Sequence, residues 1–279
     1  MQTTSAKQTT LEQVLSKAQS ENRAALIGYI PAGFPTIDGC KAAIDVLIEA
    51  GFDAVEIGYP YSDPVMDGPI IQEAADQALR NGVKAKDVLA TLHHVSTKGA
   101  AAVVMTYWNP IEQFGSDAFA QAIADVGGSG VITPDLSFEQ AQPWNDSATK
   151  AGINTIYVVA PSTTDERLQK VTGITSGFVY AASLMGVTGT RNSISNSARE
   201  LVARIRKVSN LPVAVGLGVS TPEQASEVAT YADGVIIGSA LIKELLGKDL
   251  ESGLAGLRTL ARSLSAATKS AHRAPQGVK

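Results

Sequence analysis

One acid, Glu56, stands inside the apolar run Ala54–Gly58, and two more, Asp63 and Asp67, come after it in a turn-rich loop before Pro69 opens a helical segment. Burying an unpaired carboxylate costs several kcal/mol, unless its pKa rises until it keeps a proton. With Val55 and Ile57 as neighbours, Glu56 is either an acid–base group tuned toward neutral pH or half of a satisfied structural pair at a strand end. Asp67 is the nearest acid that can share its site. Read locally, Asp67-Gly68-Pro69 serves equally well as a helix cap, and Asp63-Pro64 as ordinary turn chemistry. Asp135, after Val131-Ile132-Thr133-Pro134, reads as a cap of the next helix along the chain.

The elements that must position these groups alternate along the chain. Apolar runs occur at Ala24–Ile30, Ala54–Gly58, Ala101–Tyr107, Gly130–Thr133, Asn154–Val159, Gly177–Ala182, Pro212–Gly216 and Gly234–Gly238. They are short, rich in Val and Ile, and apolar on both faces, as parallel strands covered on each side must be. Helical spacing fills the gaps. Asp38–Ala50 aligns Ile44, Leu47 and Ile48, and Ser195–Ser209 aligns Leu201, Val202, Ile205 and Val208. Pro222 stands at a helix start, with Ser220 or Thr221 available to cap it. Eight strand–helix repeats predict an α/β (β/α)₈ TIM barrel, with a doubly wound open sheet as the alternative. An extra N-terminal helix, Thr10–Gln19, precedes the first strand and is placed to close the barrel's bottom. No linker divides the chain, so 1–279 reads as a single domain, with 1–9 and 269–279 as flexible tails.

Barrels of this kind carry chemistry at the C-terminal ends of their strands. No lysine lies in the strand runs or on the first residues after them, which disfavours a Schiff base. His93 and His94 fall on a helix and His272 in the tail, so histidine base chemistry and His-based metal sites are disfavoured, and no metal is expected. What remains at the top is carboxylate and phenol: Glu56, Asp63, Asp67, Asp135, Tyr29, Tyr61, Tyr107 and Tyr180. Elimination puts the functional reading of Glu56 ahead of the structural one.

Glycine-bearing segments come after the last three strand runs: Gly186-Val187-Thr188-Gly189, Gly216-Leu217-Gly218 and Gly238-Ser239. Glycine lets backbone amides approach an anion, and barrels often hold phosphate after strands 7 and 8. No Arg or Lys accompanies them, so recognition rests on amides and the helix dipole, suiting a phosphate that is held and not transferred. A Gly-Lys-Ser/Thr P-loop is absent from these segments.

Composition bounds the partners. The chain has 279 residues, 44% hydrophobic and 18% charged, enough for one large core or two small ones. A formal net charge of -4 gives no general attraction to nucleic acid or anionic membranes. The single Cys40 rules out an internal disulfide and fits a reducing compartment. The polar Met1–Thr10 lacks a signal-peptide core, and no apolar run reaches the roughly 20 residues of a membrane span, so a cytoplasmic location is expected.

Four segments carry a resemblance to the tryptophan synthase alpha subunit family, running from Ala25 to about Glu244. They are Pro31-Ala32-Gly33-Phe34-Pro35-Thr36, Glu56 to Pro69, Tyr180 with Gly186-Val187-Thr188-Gly189, and Gly238-Ser239-Ala240. The resemblance implies retro-aldol cleavage of indole-3-glycerol phosphate to indole and glyceraldehyde 3-phosphate, with Glu56 as acid–base catalyst and Asp67 as the catalytic aspartate. It places Tyr29, Tyr107, Ile132, Tyr180 and Leu217 against the substrate, Gly189, Gly218, Gly238 and Ser239 on the phosphate, and Thr188 on a mobile lid. Enterobacterial members commonly have Phe where this chain has Tyr29 and Leu217. Many members carry arginine where this chain has Leu184, which puts lid contacts made by that guanidinium in question. The resemblance also implies no cofactor on this chain. Indole would pass to a pyridoxal-phosphate beta subunit in an alpha2beta2 heterotetramer, across the loops 60–67 and 184–192. Three rivals stay open: an autonomous indole-releasing lyase, a phosphosugar isomerase on a related barrel, and a non-catalytic barrel that only activates a partner.

Overall fold

The structure is a computed structural model. It describes residues 8–182, 191–216 and 218–272, without the side chains of 191–196. Eight parallel strands close into a barrel in sequence order: β1 (Ala25–Pro31), β2 (Ala54–Gly58), β3 (Ala101–Met105), β4 (Gly130–Thr133), β5 (Asn154–Val159), β6 (Val179–Ala182), β7 (Val213–Gly216) and β8 (Gly234–Ile237). Closure, with β1 paired to β8, decides for the barrel over the open sheet. Around it lie α1 (Thr10–Ser20), α2 (Ile37–Glu49), α3 (Pro69–Arg80), α4 (Ala85–Thr97), α5 (Trp108–Phe114), α6 (Ser116–Asp125), α7 (Gln142–Ala151), α8 (Asp165–Ile174), α9 (Arg191–Val208), α10 (Pro222–Ala229), α11 (Ser239–Leu245) and α12 (Leu250–Lys269).

Alternation along each strand builds two cores. Outward residues such as Leu26, Val55, Ile57, Val104, Val131 and Val235 pack against the helices. Inward residues such as Ile27, Val103, Ile132, Ile156, Phe178 and Ile236 fill the barrel. The inward positions at the N-terminal ends are small (Ala25, Ala54, Ala101), and the extra helix uses that room: Leu11, Leu15 and Ala18 of α1 join the inner core. The bottom is thereby closed by apolar side chains, as the N-terminal pattern predicts. Thr9 caps α1 in a reciprocal box with Glu12 and so belongs to the ordered framework, while residues 1–7 and 273–279 of the expected tails lie outside the described residues.

Polar ties fix the same end. Asp53 accepts the Arg23 fork at 2.7 and 2.8 Å and the Leu26 amide at 2.9 Å. Asp233 repeats the device, accepting the Val213 amide and Arg206. Buried Asn154 accepts from the Thr9 hydroxyl at 2.6 Å and donates to Glu12 at 2.9 Å, clamping α1 to β5. At α10 the structure selects Thr221 as the cap, with Gln224 completing the box. The bottom is built for stability and leaves the top for chemistry.

Asn154→Ala removes both side-chain bonds to α1. It should lower stability by about 1–3 kcal/mol, or ~3–8 °C in melting temperature for a chain of this size. Thermal unfolding followed by circular dichroism checks this, and an unchanged melting curve would show that apolar packing alone seats α1.

Candidate active site

Glu56 projects inward from β2, in register between Tyr29 of β1 and Val103 of β3. Its side chain is 0% exposed, and neither carboxyl oxygen has a hydrogen-bond partner among the described residues. Burial, and secondarily the negative field of Asp67, push its pKa from the ordinary 4.5 up to about 8. The structural pair that sequence left open is not formed with any described residue. At neutral pH this carboxyl holds its proton.

The loop after β2 brings Asp67 back over the barrel mouth. Helix α3 begins after Gly68, with Pro69 in its first turn and no side-chain cap bond, so the Asp67 carboxylate is not spent on capping. It accepts a hydrogen bond from the Tyr107 hydroxyl at 3.1 Å, and that oxygen accepts the Met66 amide at 3.2 Å. Tyr61 rests on the Tyr107 ring, centroids 5.3 Å apart, and its hydroxyl accepts from Asn109. The excursion is thus pinned to the end of β3. Desolvation raises the Asp67 pKa, and the Tyr107 bond opposes that rise. Glu56 has no such donor, so Asp67 carries the negative charge while Glu56 keeps the proton.

Both acids open into one cleft of about 560 Å³, including its mouth, lined by Tyr29, Met66, Ile71, Met105, Val158, Tyr180 and Ile236 as well. Gly218, Gly238 and Ser239 line the same cleft, so described members of the expected phosphate set share one cavity with the acids. Gly218 has φ +92°, a backbone that glycine adopts without strain. Tyr29 and Tyr180 are buried, and burial together with the two carboxylates drives both phenols well above their usual pKa.

The other expected site residues fall in several places. Ile132 is fully buried in the inner core with Tyr180 and Ile156, beneath the lining. Tyr107 reaches the cleft through Asp67. Leu184, Gly186, Thr188, Gly189 and Leu217 lie outside the described residues. Asp63 is turn chemistry, accepting from the Ser62 hydroxyl. Asp135 corrects its expectation: it caps α5, not the next helix along the chain, because the end of β4 lies beside that of β3 and its carboxylate receives the Trp108 amide at 2.9 Å. Sequence reasoning missed Met105 and Val158. No local signal marks them, because their places follow from register: Met105 pairs with Gly58 and Val158 with Tyr180.

A family model described as tryptophan synthase alpha chain matches residues 15–269. The chain is 51% identical over 269 residues to the tryptophan synthase alpha chain of Thermobifida fusca, covering 95% of this chain and 100% of that one. It is 52% identical over 258 residues to that of Streptomyces avermitilis, covering 91% and 93%. Among solved structures, a chain of Mycobacterium tuberculosis tryptophan synthase superposes with TM-score 0.87 at 48% identity, covering 94% and 99%. A tryptophan synthase alpha subunit from Legionella pneumophila gives 0.85 at 31%, covering 94% and 99%.

The Glu56 shift has a sign that stability measurements read. A carboxyl whose folded pKa is raised favours folding fully below its unfolded value near 4.5, and that contribution is lost as pH climbs through about 8. Glu56→Gln should therefore match wild type at pH 4.5 and exceed it above pH 8, by on the order of 4 kcal/mol. Urea unfolding at both pH values checks this; parallel profiles would mean that Glu56 ionises normally.

Proposed function

We propose, since this chain belongs to the tryptophan synthase alpha chain family, that Glu56 and Asp67 divide the proton chemistry of indole-3-glycerol phosphate cleavage between them. The chain is a carbon–carbon lyase that yields indole and glyceraldehyde 3-phosphate. The observation that carries the division is a buried, unpartnered Glu56 facing a hydrogen-bonded Asp67 across one cleft.

Indole leaves only when protonated at C3. Glu56, neutral near pH 7, delivers that proton, while Asp67 accepts a hydrogen bond from the indole N–H and balances the positive charge developing on the ring. Glu56, now a carboxylate, takes the proton of the glycerol C1 hydroxyl as the bond from C1 to indole C3 breaks. The bond's electrons return to the ring and C1 becomes the aldehyde. Met105 and Val158 provide apolar surface for the flat ring, backed by Ile132 in the inner core beneath them, and by resemblance Leu217 serves the same end. Gly218, Gly238 and Ser239, joined by Gly189, hold the phosphate through amides and a hydroxyl. The resemblance gives the lid role to Thr188, which lies outside the described residues. Acid–base groups of this kind contribute typically ~10²–10⁴-fold, and positioning and electrostatics supply the rest.

The family implies a beta-subunit partner. We extend this to an alpha2beta2 assembly in the cytoplasm, with pyridoxal phosphate on the beta chain and no cofactor on this one. Among the described residues no helix is long and apolar enough to cross a membrane. The loop 60–67 would face that partner, with Val65 its most exposed apolar side chain.

Glu56→Gln and Asp67→Asn should each lower kcat for indole release by ~10²-fold or more with little change in substrate binding. Purified protein incubated with indole-3-glycerol phosphate, with and without a beta chain, gives the readout. Near-normal turnover in Glu56→Gln would reject the assignment, and triose phosphate isomerisation without indole release would favour the isomerase reading.

A further inference from the structure

Tyr29 and Tyr180 occupy equivalent places on different strands. Tyr29 is in register with Glu56, and its hydroxyl lies over Gly58, two residues further along β2. Tyr180 is in register with Ala214, and its hydroxyl lies over Gly216, two residues further along β7. A Cβ at either glycine would fall well inside van der Waals contact with the phenol oxygen, so each glycine makes room for a hydroxyl on the neighbouring strand. The Tyr29 ring also runs back to β8: its Cδ1 and Cβ lie 3.5 and 3.6 Å from where a Cβ of Gly238 would be. The ring therefore forms the wall between the acid end of the cleft and the glycine end.

That position has a chemical meaning, which rests on the cleft being the site of indole-3-glycerol phosphate cleavage. With C1 of the glycerol chain at Glu56 and the C3 phosphate at Gly238 and Ser239, C2 must pass along the Tyr29 wall. We infer that the Tyr29 hydroxyl donates a hydrogen bond to the glycerol C2 hydroxyl, the one that does not react, and so selects substrates that carry it. Tyr29 is 6% exposed and lines the cleft. Its hydroxyl makes no hydrogen bond to a described residue, so the donor is available to substrate. Burial and the carboxylates of Asp67 and Glu56 disfavour the phenolate, so the group remains a donor across the working pH range. A site built to pair a substrate hydroxyl rejects the analogue that lacks it, because its own buried polar group is then left unpaired.

The test runs the condensation, in which indole joins either glyceraldehyde 3-phosphate or 3-phosphooxypropanal, the same aldehyde without the C2 hydroxyl. Indole consumption gives kcat/KM for each. Wild type should prefer glyceraldehyde 3-phosphate by about 5- to 10-fold. Tyr29→Phe, which keeps the ring as wall, should bring that ratio to within about 2-fold of unity, chiefly by slowing the hydroxylated aldehyde. An equal ratio in wild type and Tyr29→Phe overturns the inference whatever the absolute rates, and so does a wild type that already fails to discriminate. Indole consumed with neither aldehyde by the wild type would instead overturn the reading of the cleft, and this inference with it.

Discussion

The energetic constraint that organises this molecule is an unpaired carboxyl inside a closed barrel. Glu56 is fully buried with no hydrogen bond to a described residue, so ionising it in place is expensive and the proton stays on at neutral pH. A fold keeps such a group only where the rest of the structure is stable enough to offset its cost. Here the strands on either side are closed by neighbours in register, and the barrel floor is sealed by Leu11 and Leu15. The strain of the site is held by a scaffold whose polar ties lie at the other end.

The second acid obtains its different character from a different neighbourhood. Asp67 sits on an excursion, half-buried, and receives a phenol hydroxyl whose own oxygen is held by the Met66 amide. Desolvation acts on both acids, but only Asp67 has a donor to offset it. Two carboxyls of nearly equal intrinsic acidity are thus separated by environment into a proton holder and a charge carrier. The division depends on Tyr107, at the end of the strand adjacent to β2, more than on any residue near in sequence.

Much of the fold is legible in the chain because parallel strands covered on both faces leave a simple trace. The runs Ala54–Gly58, Gly130–Thr133 and Asn154–Val159 coincide with β2, β4 and β5 to the residue. Others shift by one or two residues at their ends, as with Gly177, which stands before β6 with φ +76°. Capping is less transparent. Asp67 looks like a cap in sequence, yet α3 starts after Gly68 with Pro69 and takes no side-chain bond. Asp135 looks like a cap of the next helix and instead caps α5, because adjacent strand ends lie side by side while a local window sees only one of them.

By itself the sequence determined the repeat that must close on itself, the one acid among apolar neighbours, and the glycines after the last strands, since each is a local matter of periodicity, polarity or backbone freedom. Tertiary structure alone decided which carboxylate is paired and which is not. It also decided that Met105 and Val158 face the cleft and that two phenols lie over glycines on neighbouring strands. Those facts depend on register between segments tens of residues apart, and register is set by the closure of the whole barrel.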